Sequence, residues 1–285
     1  MAEINNKFVA FSANLIKPII SKAFYKSMRK KPIEPMTLKK ASELTDRDLS
    51  GIKFVAHRGL SGVNPENTAP SYKAAADHGN FHGIECDTYR TKDGVWVTIH
   101  DPNLDSLFSG EGDVRDYTLD ELHKLKMLRG ANIGKFLDVK ICTLQEYVDI
   151  CKKGGCTPVI EIKDPRTELM QDFYDFLVKN KIEHSCTIIS FIIEDLATLH
   201  KIDPELDCWY LVDYLTDKNI KAAVDAGCTG MDFSSEFNAC RPDWIKKVLD
   251  AGLVAACWTV DNAKRLEAML SAGVTVITTN SILPE

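Results

Sequence analysis

Polar residues suited to phosphate and metal chemistry follow several apolar runs of this 285-residue sequence. His57 and Arg58 come directly after the apolar run 52–56. Two basic side chains that leave a buried strand suit an anionic ligand. The alternative is an ordinary buried histidine beside a surface arginine, and the pair alone does not decide between the two interpretations.

Glu85 and Asp87 are separated by one residue within an apolar run, so both side chains project from one face of a strand. Two neighbouring carboxylates are costly to bury unless a cation or basic groups neutralise them. A ligand set made only of oxygen atoms favours a hard divalent cation, Mg²⁺ or Ca²⁺, over zinc. A structural salt bridge to Arg58 or Arg90 is the alternative.

The run 95–99 follows 83–90 after only four residues, 91–94, and this spacing predicts a β-hairpin. If those four residues form the loop, Glu85 lies opposite His100 on the same face. The register therefore predicts that an imidazole joins the carboxylate pair.

Glu161 and Lys163 end the run 157–163 with the same one-residue spacing, so both are expected to face the same side. A third carboxylate completes a metal site, and the lysine offers positive charge to a phosphate oxygen. Together, the residues at these strand ends predict a metal-assisted site for an anion, most naturally a phosphate ester.

Eight β-rich runs must position these residues, and amphipathic helical patterns lie between most of them. The runs are 52–57, 83–88, 157–163, 186–190, 208–212, 230–233, 253–258 and 275–279. This alternation predicts an α/β fold, a (β/α)₈ TIM barrel, with its chemistry at the carboxyl ends of the strands. A doubly wound open sheet is the alternative, although the first run lacks the GxGxxG turn of a dinucleotide-binding fold.

More than fifty residues separate His100 from the run that begins at 157, with short helical patterns at 118–127 and 143–153. An ordinary barrel connection is much shorter. We therefore expect a small inserted subdomain after the second strand, at about 101–156, over the mouth of the barrel.

A basic N-terminal helical extension, residues 1–50, precedes a barrel domain at 51–285. The extension holds ten basic and five acidic residues. Apolar residues at mostly helical spacing, with lysines between them, mark the segment 7–28. One interpretation is an interfacial helix that touches anionic lipid, which would make the protein peripheral at a membrane surface. The other is a helix packed across the bottom of the barrel or a dimer-forming arm, and the sequence does not determine the oligomeric state.

Composition and charge argue against several other classes of protein. The net charge of −6 is unlike that of nucleic-acid-binding domains, which are usually basic. No window approaches the ~18 consecutive apolar residues of a membrane span, and the N-terminus lacks a signal-peptide pattern, so we expect a soluble protein. Nine cysteines without zinc-ligand spacing indicate free thiols and a reducing cytoplasm.

Taken in order, the motifs of this chain resemble those of the glycerophosphodiester phosphodiesterases. The matching strings are HRG at 57–59, PENT at 65–68, ExD at 85–87, TKDG at 91–94, HD at 100–101, EIK at 161–163 and WTVDN at 258–262. The resemblance covers about residues 52–280. It implies a TIM barrel of the phospholipase-C-like phosphodiesterase type that hydrolyses glycerophosphodiesters to glycerol 3-phosphate and an alcohol.

The resemblance also implies the residues that carry catalysis and hold the metal. His57 and His100 would be the general acid and base. Glu85, Asp87 and Glu161 would be the ligands of one divalent cation, Mg²⁺ or Ca²⁺.

The same resemblance assigns residues to the substrate. Arg58 and Lys163 would hold the phosphate oxygens, and Trp258 would form an apolar wall near the glycerol. Glu66, in the PENT turn, would orient either Arg58 or a metal-bound water.

The chain departs from the family pattern at two places. Residues 104–108 replace a loop that commonly contains Arg-Thr-Thr, and Thr279-Asn280 replaces a usual Thr-Asp pair. We expect both departures to affect substrate fit rather than catalysis.

Two other functions stay open. A metal-independent phosphoinositide-type phosphodiesterase or lyase shares the barrel and the histidines, but it would not need three converging carboxylates. A non-catalytic barrel that binds phosphorylated ligands would be expected to lack a histidine or a metal ligand.

Overall fold

The computed structural model describes residues 31–238 and 241–285, and the strands form its centre. In chain order they are β1 (Lys39–Lys40), β2 (Lys53–Ala56), β3 (Gly83–Arg90), β4 (Trp96–Thr98), β5 (Cys142–Thr143), β6 (Thr157–Ile162), β7 (Thr187–Ser190), β8 (Asp207–Val212), β9 (Gly230–Ser234), β10 (Val254–Trp258), β11 (Val276–Thr279) and β12 (Ile282–Leu283). Eight of them, β2, β3 and β6 to β11, pair in parallel in that order. Because β11 also pairs with β2, the sheet closes on itself, and the predicted (β/α)₈ barrel is confirmed.

Helices alternate with the barrel strands. They are α1 (Ala69–His78), α2 (Leu119–Leu122), α3 (Leu144–Gly154), α4 (Met170–Asn180), α5 (Ile193–Ile202), α6 (Asp217–Asp225), α7 (Ser235–Asn238), α8 (Pro242–Asp250) and α9 (Ala263–Ser271), with 3₁₀ turns at Ala41–Glu43, Leu104–Ser106, Val114–Asp116, Ile133–Lys135 and Thr167–Leu169. Within residues 31–238 and 241–285, none of these helices has the length and apolar character needed to cross a membrane.

Two apolar layers hold the barrel together, one on each face of its sheet. The larger layer lies between the outer face of the sheet and the helices. The interior layer consists of alternate strand residues, namely Val55, Val159, Ile189, Trp209, Leu211, Ala256 and Val276. Since side chains alternate in direction along a strand, the polar residues spaced two apart at the strand ends continue the interior rows towards the open end.

The β3–β4 hairpin differs from the predicted register by one residue. Thr88 pairs with Thr98 and Arg90 with Trp96, so Glu85 does not lie opposite His100. The backbone N–H of Thr91 donates to the carbonyl of Val95 over 2.8 Å, which leaves three residues in the loop rather than four. A three-residue loop places a glycine in the left-handed region at its end, and Gly94 has a φ of 86°.

The segment 101–156, which we expected to be one insertion, divides in two. Residues 101–141, called the insert below, contribute to a separate apolar cluster built on Val97 and Ile99. In contrast, α3 packs its buried residues into the main core and lies against α1. The helix α3 is therefore the barrel helix between β3 and β6, because a parallel connection needs one there.

The helix predicted at 118–127 is only the single turn α2. Beyond it, the backbone N–H of Ser109 donates to the carbonyl of Lys126, and that of Leu128 donates to the carbonyl of Leu107. These bonds hold 126–128 alongside 107–109 in an extended arrangement. Long-range backbone pairing thus overrides the local helical pattern.

The extension at 1–50 is described only from residue 31. Its described part contains β1, which pairs with β12, and one 3₁₀ turn, with no α-helix between residues 31 and 50. The segment 7–28, predicted to contain a helix, lies outside the described residues.

Close packing inside the barrel predicts a specific stability effect at Gly230. A Cβ atom there would lie 2.7 Å from Cδ1 of Trp209, and the indole is held by its N–H bond of 2.8 Å to Asp207. We expect Gly230→Ala to lower the free energy of unfolding by about 1–3 kcal/mol, measured by urea titration. Gly134→Ala is the control, because a Cβ atom there meets nothing within 4 Å; equal losses in the two variants would contradict this account of the interior.

Candidate active site

His57 follows β2, and a side chain beyond β11 orients its ring. Nδ1 of His57 lies 2.8 Å from Oδ1 of Asn280, and Nδ2 of Asn280 donates to Asp261 over 2.7 Å. Because the bond to Asp261 uses the amide nitrogen, the amide oxygen accepts the proton on Nδ1 of His57. In the neutral ring, Nε2 is then unprotonated, and it lies 4.0 Å from Oε2 of Glu85.

The protonation state of His57 follows from its surroundings. Burial, together with the positive charge of Arg58, lowers the pKa of His57 to about 3. The imidazole is therefore neutral near neutral pH, and its free Nε2 can accept a proton.

Three carboxylates from two neighbouring strands meet beside this imidazole. Asp87 of β3 is in register with Glu161 of β6, and Glu85 precedes Asp87 by two residues. Oxygen atoms of all three lie within 4.8 Å of one another. The residues are only 3%, 1% and 6% exposed for Glu85, Asp87 and Glu161, so three acidic groups share a small volume that is shielded from water.

The surroundings shift the pKa values of the three carboxyl groups in different directions. Burial raises the pKa of Glu85 well above its usual range, and the charge of Asp87 adds to that effect. Burial also raises the pKa of Glu161 to about 7, against the opposing charge of Lys163. Although burial alone would favour the neutral acid, Arg58 and Lys163 hold the pKa of Asp87 well below its usual range.

Arg58 contacts the carboxylates through both its backbone and its side chain. Its backbone N–H donates to Oε2 of Glu85 over 2.8 Å, and its Nε lies 3.2 Å from Oδ2 of Asp87. A second guanidinium nitrogen donates to Glu66 over 2.9 Å. The predicted contact between Glu66 and Arg58 is thus present in the structure.

Asn67, the third residue of the PENT turn, holds Asp87 from the other side. Its Nδ2 donates to Oδ2 of Asp87 over 2.7 Å, and its Oδ1 accepts the backbone N–H of Asp87 over 3.1 Å. Tyr72 donates its hydroxyl proton to the same oxygen over 2.9 Å. Asn67 has a φ of 54°, a left-handed conformation that asparagine tolerates better than most residues.

Lys163 lies between the carboxylates and two aromatic rings. Its Nζ is 2.6 Å from Oε1 of Glu161 and 3.4 Å from Oδ1 of Asp87. It also lies 5.5 Å from the ring centre of Phe191, which meets the ring of Trp258 edge-on at 5.9 Å. An apolar wall therefore adjoins the positive charge.

His100 reaches the site although the predicted hairpin register is wrong. The backbone N–H of Ile99 donates to the carbonyl of Asp87, and His100 lies just beyond the end of β4. Nδ1 of His100 lies 3.0 Å from Oδ1 of Asp101, and a third of its side chain is exposed. Because the adjacent Ile99 is hydrogen-bonded to Asp87, His100 lies at the same end of the barrel as the carboxylates.

The carboxylates Glu85, Asp87 and Glu161 could hold a metal ion. All the donor atoms are oxygens, and Oε1 of Glu85 is buried without a hydrogen-bond partner. A buried polar atom without a partner is costly, and a cation would satisfy it. The donor set and this unpartnered oxygen therefore fit a hard divalent ion.

Comparison with known proteins agrees with this geometry. The model of the glycerophosphoryl diester phosphodiesterase family matches residues 57–283. The chain belongs to this family. It is accordingly a glycerophosphodiester phosphodiesterase, an enzyme of the phosphoric diester hydrolase class.

Individual members of the family are similar over most of their length. The glycerophosphodiester phosphodiesterase of Bacillus subtilis is 30% identical over 250 residues, which are 80% of this chain and 83% of that protein. The enzyme of Caldanaerobacter subterraneus is 32% identical over 233 residues, or 79% of this chain and 93% of that protein. An Oleispira antarctica phosphodiesterase, solved in complex with the product sn-glycerol-3-phosphate, has the same fold, with a TM-score of 0.71 at 22% identity over 81% of this chain and 94% of that chain.

The residues predicted from sequence lie at one end of the barrel, where the structure adds others that sequence reasoning missed. These are Asn67, Phe191, Asp261 and Asn280. Asn67 and Asp261 belong to motifs that the phosphodiesterase resemblance uses, so the motifs held a signal for them. Phe191 simply follows a β-rich run, and nothing in its sequence context distinguishes it.

One departure from the family pattern lies inside the site. That the change from the usual Thr-Asp pair to Thr279-Asn280 affects substrate fit stays a prediction. The structure adds that Asn280 contacts the imidazole of His57. The departure therefore also adjoins a residue predicted to be catalytic.

The partner of His57 leads to a prediction about pH. In Asn280→Asp, a carboxylate facing Nδ1 would favour the charged imidazole, so the pKa of His57 would rise. At acidic pH, a smaller fraction of His57 would then be in the neutral form that accepts a proton. We expect the acidic limb of the kcat/KM profile to move to higher pH by about one unit. Ser61→Ala, which removes a neutral hydroxyl that contacts Asn280 and the carbonyl of His57, should leave the limb in place; an unmoved limb in both variants would show that His57 does not govern it.

The contacts of Asn67 lead to a prediction about metal affinity. Asn67→Gly keeps the left-handed backbone available but deletes the amide that holds Asp87. Loss of such a supporting contact should weaken Mg²⁺ binding, measured by calorimetry, by roughly tenfold or more. Asn132→Gly is the matched control, because Asn132 has a φ of 52° and bonds to the carbonyl of Val63 instead of a site carboxylate. Equal affinities in the two variants would exclude a role for Asn67 in metal binding.

Proposed function

We propose that this site hydrolyses glycerophosphodiesters to glycerol 3-phosphate and an alcohol with the help of one divalent cation, Mg²⁺ or Ca²⁺. The observation that carries the proposal is the convergence of three buried carboxylates with two cationic side chains and two imidazoles. The product bound by the Oleispira relative supports glycerol 3-phosphate as the product here as well.

His57 is proposed as the general base. Its Nδ1–H is held by Asn280, and its Nε2 is free to take a proton from the attacking oxygen. A neutral imidazole is the form that can do so, and burial favours that form. Asp261, which holds the amide of Asn280, acts only through that contact and is a positioning residue.

His100 is proposed as the general acid. Asp101 faces its Nδ1 at 3.0 Å and orients the ring. The other ring nitrogen would then donate a proton to the leaving alcohol oxygen. Its partial exposure suits contact with a leaving group that must exit to solvent.

Arg58 and Lys163 are proposed to bind the phosphate oxygens. Both are partly buried next to Asp87, and both lie at the end of the barrel that holds His57 and His100. In the proposed complex, Glu85, Asp87 and Glu161 hold the cation, which supplies positive charge that stabilises the phosphoryl oxygens. The two basic side chains add to that stabilisation because neutral pH leaves both fully charged.

Trp258 and Phe191 are proposed to line the glycerol part of the substrate. Their rings meet edge-on beside Lys163. An apolar wall at this position would exclude water from one side of the phosphate and strengthen its electrostatic interactions.

The competing functions are less consistent with these contacts. A metal-independent phosphodiesterase would gain nothing from the unpartnered oxygen of Glu85. A barrel that only binds phosphorylated ligands would gain nothing from an imidazole whose tautomer is set by Asn280.

We also propose a cytoplasmic location. The eight cysteines of the described residues are free and buried, as is expected in a reducing compartment. We further propose that the segment 7–28 contacts a membrane surface.

The function is tested by the release of glycerol 3-phosphate from glycerophosphocholine. We expect EDTA to abolish the release and Mg²⁺ or Ca²⁺ to restore it. His57→Ala and His100→Ala should each lower kcat/KM by roughly 10²–10⁴-fold. His184→Ala, half exposed beside Asp203, is the control and should retain full activity.

The other outcomes identify the alternatives. Full activity in EDTA would indicate the metal-independent phosphodiesterase. Binding of glycerol 3-phosphate without turnover under any metal condition would indicate the non-catalytic barrel.

A further inference from the structure

The large apolar side chains that remain exposed are unevenly distributed over the described residues. Four of them lie on the helical flank or at the amino end of a barrel strand: Val178, Val224, Leu249 and Val254. Six lie at the catalytic end: Met36, Leu128, Leu137, Phe191, Tyr214 and Phe237. We call the second group the mouth residues.

Each mouth residue belongs to a segment at the carboxyl ends of the strands. Phe191 follows β7, Tyr214 follows β8, and Phe237 is in α7 after β9. Leu128 and Leu137 belong to the insert, which follows the β3–β4 hairpin. The exposed apolar surface thus comes from several separate loops around the mouth instead of one groove.

Two of the mouth residues form a stacked aromatic pair. The rings of Tyr214 and Phe237 stack with centres 4.5 Å apart, and 51% of Tyr214 and 42% of Phe237 remain exposed. The buried side chain of Asn238 ties their segments together, because its Nδ2 donates to the carbonyl of Asp213 and its Oδ1 accepts from Leu215. Exposed aromatic rings held in this way suit the interfacial region of a lipid bilayer.

The first thirty residues join the described chain at the same end of the barrel. The carbonyl of Lys31 accepts a hydrogen bond of 2.7 Å from Arg129 of the insert. The backbone N–H of Met36 donates to the carbonyl of Gly62, in the loop after β2, over 2.7 Å. The join therefore lies at the catalytic end, opposite the bottom of the barrel.

The charge of residues 1–30 differs from that of the rest of the chain. The segment has six basic residues and one acidic residue, whereas the whole chain has a net charge of −6. A basic segment with regularly spaced apolar residues is suited to an anionic lipid surface. Its junction with the described chain, at Lys31, lies beside the insert and the loop after β2, at the same end of the barrel as the exposed aromatic rings.

We infer that the catalytic end of the barrel docks on an anionic phospholipid surface through the mouth residues, with residues 1–30 supplying the positive charge. Insertion of Tyr214 and Phe237 at the headgroup level would direct the mouth of the active site towards the membrane. Among the interpretations of the basic extension, this location favours lipid contact over packing across the bottom of the barrel. The inference is independent of the proposed reaction.

The test measures co-sedimentation of the full-length chain with vesicles of phosphatidylcholine, with and without phosphatidylserine, at low and high salt. We expect binding to require phosphatidylserine and to weaken at high salt. The double variant Tyr214→Ser/Phe237→Ser should bind roughly tenfold more weakly, because it removes apolar surface that the bilayer would bury. Val178→Ser/Val224→Ser, with similar exposure on the flank, should bind within about twofold of the original chain.

Several results would overturn the inference. They are the absence of binding to both kinds of vesicle, equal losses in the mouth and flank variants, and a stable dimer that only the mouth variant dissociates. Thermal melting of both variants checks that each is folded. Hydrolysis of dissolved glycerophosphocholine is measured in parallel, and we expect no change because neither Tyr214 nor Phe237 belongs to the catalytic site. If the original chain binds vesicles but hydrolyses no glycerophosphodiester, the proposed function fails and the docking inference stands.

Discussion

The burial of three carboxylates within 4.8 Å of one another is the constraint on which the active site depends. Such a cluster would oppose folding if nothing offset its charge, because each ionised group loses its hydration. Arg58 and Lys163 supply positive charge, and Asn67 supplies a neutral donor. In the proposed function, the same groups that make the cluster tolerable also prepare it for a cation and a phosphate.

Closure of the barrel brings together polar side chains from the two ends of the chain. Pairing of β2 with β11 places His57 next to Asn280, although 223 residues separate them in the sequence. Asp261 then holds the asparagine from the loop after β10. The tautomer of one imidazole thus depends on three separate strand ends, so the site is as rigid as the barrel.

Most features that go beyond the common barrel fold lie at the carboxyl ends of the strands. The proposed catalytic residues, the insert, the exposed aromatic pair and Lys31, where the described part of the basic extension begins, all lie there. In a closed barrel, the residues of the helices and the interior layer are constrained because they pack against one another. The loops at the carboxyl ends of the strands are not, so their sequences can vary. This explains how a common fold can combine a phosphate site with a surface suited to lipid.

The sequence alone determined the alternation of strands and helices, since apolar runs and helical patterns are local signals, and the spacing of Glu85 and Asp87 placed both on one face. The pairing of β2 with β11 then decided between a closed barrel and an open sheet. Ordered motifs predicted the other site residues. The tertiary structure decided the hairpin register, where Gly94 shortens the loop, and the division of the predicted insertion. It also decided the role of Asn280, because contact between residues so far apart depends on how the barrel closes and leaves no periodic pattern in the sequence.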